Sequence, residues 1–267
     1  MPVATVGDSE IDYDRGGSGP PLLLIMGMSG TALHWGEPFL EALRQDFDVI
    51  AYDHRGVGAS SRLEGPITIV EMAADAAGLL DALEIDSAHI VGISMGGMIA
   101  QELALAHPER VQTLTLGCTY CGGEGSSLMS GELSNRLADA RKSGDRERAM
   151  RAAWEVNVSR EYAGDPDAYG PYREIGLQRA VALSVIAAQA KAIDGHDTSR
   201  RLFELTMPTL VIHGTADQVI PVENGPLVAS RIPGSRLEIF EGVGHLFFWE
   251  GAERSAELIR EHAAVPA

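Results

Sequence analysis

Basic residues are scarce in this sequence: 21 Lys and Arg stand against 38 Asp and Glu, a formal net charge of −17 at pH 7. Such a surface repels phosphate backbones and anionic headgroups, which argues against a nucleic-acid or membrane-surface role. Long apolar runs are also missing. No segment approaches the roughly 18 residues needed to span a bilayer, and Met1-Pro2-Val3-Ala4-Thr5 lacks the basic-then-apolar pattern of a secretory leader. The expectation is a cytoplasmic protein whose partner is a small molecule, its oligomeric state being left open. Cysteine is nearly absent too, with only Cys118 and Cys121. Their C-x-x-C spacing could suit redox chemistry or half of a zinc site, but no second pair or nearby histidine completes a tetrahedron, and Cys118 closes an apolar run rather than opening a helix. No metal and no cofactor is therefore expected.

What the sequence has is a large apolar fraction, 45% of 267 residues, enough for one sizeable core and an inserted subdomain. Strand-like runs alternate with helical patterns, the signature of a parallel sheet covered by helices on both faces. Strands are predicted at Pro21–Met26, Phe47–Tyr52, Ser87–Ile93, Val111–Gly117, Thr209–His213 and Leu237–Phe240. Phe39, Leu40 and Leu43 mark one helix face. Thr68 is the natural N-cap of a helix through Leu83, with Met72, Ala76, Leu79 and Leu83 at spacings of three and four. A further helix runs from Ser94 to His107, where Pro108 ends it, and a last one from about Phe247 to His262.

The alternation breaks between Thr119 and Pro208. There Leu133 with Leu137, and Met150, Trp154 and Val158, repeat every four residues, with glycine-rich breaks between them and no clear strand. The expected organisation is a main domain from 1–118 and 209–267 with a helical insertion at 119–208. Stripes at helical spacing are usually core, but some must face the main domain. The large side chains Met129, Trp154, Tyr169 and Tyr172 are the insertion's candidates for a substrate pocket.

Three strand ends carry the chemistry. Gly92-Ile93-Ser94-Met95-Gly96 fits G-x-S-x-G, a strand-to-helix turn so sharp that only glycine leaves room two residues either side of the serine. With 30 glycines in the chain the pentapeptide alone is weak; its place between an apolar strand and a helix gives it weight. A serine hydroxyl is a poor nucleophile near neutral pH, so it needs a base, and the base needs an acid to fix its tautomer. Asp217 follows the strand that ends at His213-Gly214, and His245 sits in Gly242-Val243-Gly244-His245 after the last strand. Asp217 could merely cap its turn, and a histidine in a glycine-rich loop is often just solvated. The order serine, acid, histidine favours the joint catalytic reading, and the remaining histidines fit it worse, His213 because it lies within a strand and His54 because it belongs to a turn signature.

These segments, together with Asp53-His54-Arg55-Gly56-Val57-Gly58-Ala59-Ser60 and Val219-Ile220-Pro221, resemble the α/β-hydrolase family along nearly the whole chain. The resemblance implies a mostly parallel eight-stranded α/β sheet with an inserted helical cap at 119–208. It assigns Ser94 as nucleophile, His245 as general base and acid, and Asp217 as the orienting carboxylate. The oxyanion hole would come from the backbone N–H groups of Met95 and Met28. In the loop Met26-Gly27-Met28-Ser29-Gly30, Met26 stands where the family usually has histidine, so the usual side-chain bracing is missing. Arg55 belongs to a turn that ties loops together in the family, which makes a structural role the expectation.

Ser94 argues against the dehalogenases and epoxide hydrolases of this fold, which would need an aspartate there. The motifs look most like small bacterial carboxylesterases, 3-oxoadipate enol-lactonases and methylesterases. The expected function is therefore a serine hydrolase cleaving a carboxylic ester or lactone through an acyl-enzyme. A C–C bond hydrolase of the meta-cleavage type is the alternative enzyme, and a non-turnover receptor for a small ligand is the alternative of another class.

Overall fold

The structure is a computed structural model and describes residues 1–178 and 180–265. Its strands are β1 (Val3–Val6), β2 (Ser9–Gly17), β3 (Pro21–Ile25), β4 (Asp48–Tyr52), β5 (Ala88–Ile93), β6 (Val111–Gly117), β7 (Thr209–Gly214) and β8 (Arg236–Phe240). They form one sheet in the order β1-β2-β4-β3-β5-β6-β7-β8. β1 and β2 pair antiparallel to each other, and β2 antiparallel to β4, while every pairing from β4 through β8 is parallel. Parallel strands need crossovers, and the helices that supply them cover both faces.

Side chains on β3 show how this sorts the core. Leu23 and Ile25 join one buried cluster and Leu22 and Leu24 the other, as the two-residue period of a strand requires. Helix α1 (Glu37–Arg44) places Phe39 and Leu43 in the second cluster; α2 (Ile69–Ala82) and α3 (Met95–Ala106) place Met72, Ala76, Leu79 and Met98 in the first. The Thr68 cap forms as expected: its side chain accepts from the Glu71 N–H while Glu71 reaches back to the Thr68 N–H.

Between β6 and β7 the described residues form no strand. They build α4 (Gly131–Lys142), α5 (Arg146–Asn157), α6 (Arg160–Ala163), α7 (Pro166–Gln178) and α8 (Leu183–Asp194). The flanks of this stretch belong to the main core, where Cys121, Leu202, Leu205 and Met207 are buried with the sheet residues. After β7 comes α9 (Asn224–Arg231). The expected last helix is two, α10 (Phe247–Glu250) and α11 (Ala252–Ala263), broken at Gly251. The β1–β2 hairpin carries no strand signal clear enough to read from sequence. Among the described residues no helix is long and apolar enough to cross a membrane.

Candidate active site

β5 ends at Ile93 and α3 begins at Met95, so Ser94 alone makes the turn, at φ 57° and ψ −122°. A non-glycine residue held there stores about 1–3 kcal/mol of strain. The turn closes because its flanks lack side chains: a Cβ on Gly92 would lie 2.3 Å from the Gly96 carbonyl oxygen, and one on Gly96 would lie 1.9 Å from that of Ile25. The Ser94 N–H donates to Gly117 O at 2.9 Å, and Thr119 Oγ1 donates to Ser94 O at 2.7 Å. Both bonds lock the strained residue between two strands and the start of the insertion.

Asp217 and His245, each on a loop after a parallel strand, meet with Oδ2 2.7 Å from Nδ1. Asp217 Oδ1 also accepts from the N–H groups of Val219 and Ile220 at 2.8 and 2.9 Å. His213 Nε2, which donates to Ile220 O at 2.8 Å, lies 3.3 Å from Asp217 Oδ2. Burial alone would raise the Asp217 pKa; the charge of His245, hydrogen bonds from His213 and His245, and the charge of His213 together overcome it and hold the carboxyl well below its ordinary range. An ionised Asp217 fixes the His245 hydrogen on Nδ1 and leaves Nε2 free to accept a proton.

Cys118 completes this corner: its Sγ, an Asp217 oxygen and a His245 nitrogen lie within 4.8 Å of one another. Burial first, then the Asp217 charge, pushes the thiol well above its ordinary pKa. The protonated thiol is a poor metal ligand near neutral pH. Cys121 is likewise buried and free.

The Met26–Gly30 loop lies against the serine, since a Cβ on Gly27 would be 3.2 Å from Ser94 Cβ. The loop is held at its start by His54, which donates Nε2–H to Met26 O at 2.8 Å. Burial lowers the His54 pKa to about 4, so the ring is neutral. On the far side Gln189 of α8 accepts the Ser29 N–H at 2.9 Å, and Asp53 accepts the Ala32 N–H at 2.7 Å. The N–H groups of Met28 and Met95 have no acceptor among the described residues. Arg55 pairs with Asp75 at 2.7 Å and stays out of the cavity.

That cavity, about 490 Å³, is lined by Ser94, His245 and Met28 from the main sheet and by Met129 and Tyr172 from the insertion. Trp154 and Tyr169 are not brought there, contrary to the sequence expectation. Trp154 is fully buried among Tyr162, Tyr169, Tyr172 and Trp249, and Tyr169 turns its hydroxyl to Glu147 at 2.9 Å. They pack the insertion rather than the pocket. Sequence reasoning also missed His213, read only as a strand residue, and Glu250. The Glu250 carboxylate accepts from the N–H groups of Ser159 and Gly244, at 2.8 and 2.7 Å, and from Ser159 Oγ at 2.5 Å. The loop that carries His245 is thereby tied to the insertion, and only a glycine fits at 244, where a Cβ would meet Val158 at 2.5 Å.

A family model for the α/β-hydrolase fold matches residues 20–252. The chain belongs to the α/β-hydrolase fold family. Among its relatives is a protein from Azorhizobium caulinodans provisionally named a carbamate hydrolase, RutD, 35% identical over 92% of each chain. A poly(3-hydroxyalkanoate) depolymerase of Ectopseudomonas oleovorans is 32% identical, over 90% of this chain and 82% of its own. The enol-lactonase of Burkholderia xenovorans LB400 superposes with a TM-score of 0.86, at 27% identity over 99% of this chain and 100% of that one. As a member of this family the chain is a hydrolase; the bond it breaks is a separate question.

Proposed function

We propose that this hydrolase cleaves a carboxylic ester or lactone of a small molecule through an acyl-enzyme on Ser94. The observation that carries the reading is the Asp217–His245 pair at 2.7 Å, whose histidine lines the same cavity as the strained Ser94. In this reading His245 Nε2 removes the Ser94 proton as Oγ attacks the carbonyl carbon, and the Met28 and Met95 N–H groups stabilise the resulting oxyanion. His245 then protonates the departing oxygen, and the alcohol leaves. Water, activated by the same imidazole, cleaves the acyl-enzyme to the acid and regenerates the serine. The free N–H groups of Met28 and Met95 support the oxyanion assignment, since an oxyanion hole needs donors not spent on the fold. The carbamate hydrolase and lactonase names among its similar proteins support carbonyl-centred chemistry. The helices α4 to α8 serve as the cap over the reacting bond.

The test is labelling by a serine-directed fluorophosphonate together with turnover of short p-nitrophenyl esters. Wild-type protein labels and turns over, while Ser94→Ala does neither and keeps its melting temperature. Labelling that survives Ser94→Ala would assign the nucleophile elsewhere. A bound ligand without multiple turnover would favour a receptor.

A further inference from the structure

The chain is strongly acidic, yet among the described residues no Asp or Glu lines the cavity beside Ser94, and the formally charged lining residues other than histidine are Arg141 and Lys142, at the end of α4. Lys142 is exposed, and a cation in the last turn of a helix needs no further explanation. Arg141 differs. It is half-buried between the cavity and an adjoining cleft, with no carboxylate within 4.0 Å and no hydrogen-bond acceptor among the described residues. Among the described residues the other half-buried cations are matched: Arg44, Arg55, Arg110, Arg173, Arg201 and Arg260 by carboxylates, and Arg231 by the carbonyl oxygens of Gly122 and Glu124. Burial lowers the Arg141 pKa, the mark of a charge short of compensation. The adjoining cleft does hold Asp145, but that carboxylate caps α5 by accepting the Arg148 N–H at 3.0 Å.

Two more unspent donors line the cavity with Arg141. The Tyr172 hydroxyl has no partner among the described residues. His34 accepts the Thr31 N–H on Nδ1 at 3.0 Å, which leaves its hydrogen on Nε2, and its ring stands edge-on to Tyr172 with centroids 5.6 Å apart. A guanidinium, a phenol and an imidazole N–H on one apolar wall match a carboxylate, which offers two oxygens and several lone pairs.

We infer that the substrate is an anion, an ester or lactone that also carries a carboxylate, and that Arg141, with Tyr172 and His34, binds that carboxylate while Ser94 attacks the ester carbonyl. This rests on the reading of Ser94 as nucleophile. A neutral ester would leave the guanidinium desolvated and unpaired, whereas an anionic one supplies its missing partner, so the preference is built into the cavity.

The test compares p-nitrophenyl monoesters of succinate, glutarate and adipate with neutral esters of the same chain length. The expected result is a kcat/KM at least tenfold higher for one or more anionic esters than for their neutral matches. Arg141→Gln should lower that ratio at least tenfold, and Arg141→Lys should keep part of it. Calorimetric titration of the Ser94→Ala protein with glutarate and adipate reads the same subsite without turnover: binding of at least one is expected, and its loss in the Ser94→Ala, Arg141→Gln double variant. Equal or inverted preference across the series, or a preference that Arg141→Gln leaves intact, would overturn the inference while ester turnover still upheld the hydrolase reading. Absence of any ester turnover with dicarboxylate binding that depends on Arg141 would do the reverse.

Discussion

Residue-scale physics at the turn is severe. Gly96 cannot become even alanine without driving a Cβ to within 1.9 Å of a backbone oxygen, and no flexible side chain is there to move aside. Gly96→Ala is expected to destabilise the fold by about 2 kcal/mol or more and to abolish fluorophosphonate labelling; thermal denaturation read beside labelling checks both. Asp217 is constrained differently, because its carboxylate receives Val219 and Ile220 on one oxygen and faces His245 and His213 on the other. An asparagine has one acceptor oxygen and would turn an NH2 toward donors. Asp217→Asn should therefore lose turnover by about 10⁴-fold, the cost of the wrong histidine tautomer in serine-protease triads, and also lower the melting temperature. Unchanged kcat in that variant would remove Asp217 from the mechanism.

Among the links that couple the two halves of the molecule, two reach the candidate site through its loops. Glu250 ties the His245 loop to Ser159, and Gln189 ties the Met26–Gly30 loop to α8. Gln189 is fully buried and its Nε2 has no partner, so the residue is kept for its oxygen. Gln189→Leu should lower kcat by about tenfold, less than the 10²–10³ of a deleted oxyanion donor, because the loop loosens but its N–H groups remain. Melting temperature should change little, since the buried unpaired amide disappears as the Ser29 N–H loses its acceptor. Steady-state kinetics that show only a raised KM would make Gln189 a pocket residue instead. Such links were invisible in the sequence. Periodicity revealed the helix over Ile69–Ala82 and the strand runs of the parallel sheet, and the order of strand ends brought Asp217 and His245 into one argument. It could not say which surface a helical stripe meets: Trp154 shares its helix with the cavity residues Ala153 and Val156 yet faces the other way. Nor could it pair His213 with the Asp217 loop, since that contact depends on a loop path with no local signature.

On the scale of the whole molecule, acid acts through two opposing terms. Surface carboxylates repel one another at a net charge of −17, and protonating them relieves that repulsion, but they titrate mostly near 4. The buried imidazoles respond earlier. His54 donates to Met26 O, and burial lowers its pKa, like that of His34, to about 4. His196, packed beside Tyr120 and Thr198, is also lowered to about 4, by burial first and then by the Arg201 charge, with Asp197 opposing. In the unfolded chain these three groups titrate near 6.5, so between about 6.5 and about 4 the unfolded state binds more protons. The stability they contribute is complete above about 6.5 and is lost as pH falls through that window. Asp217 does not share the window: its depressed pKa keeps its contribution until pH drops below the ordinary carboxylate range. The melting temperature should therefore be flat from pH 8 to 7 and fall by several degrees from pH 6.5 to 5. Added salt should leave that fall in place, because screening weakens the repulsion between surface charges far more than the desolvation of a buried ring. His196→Gln, which removes one of the three groups from a position away from the cavity, should shallow the slope. A melting temperature that rises between pH 6.5 and 5 would mean that surface repulsion outweighs the buried histidines.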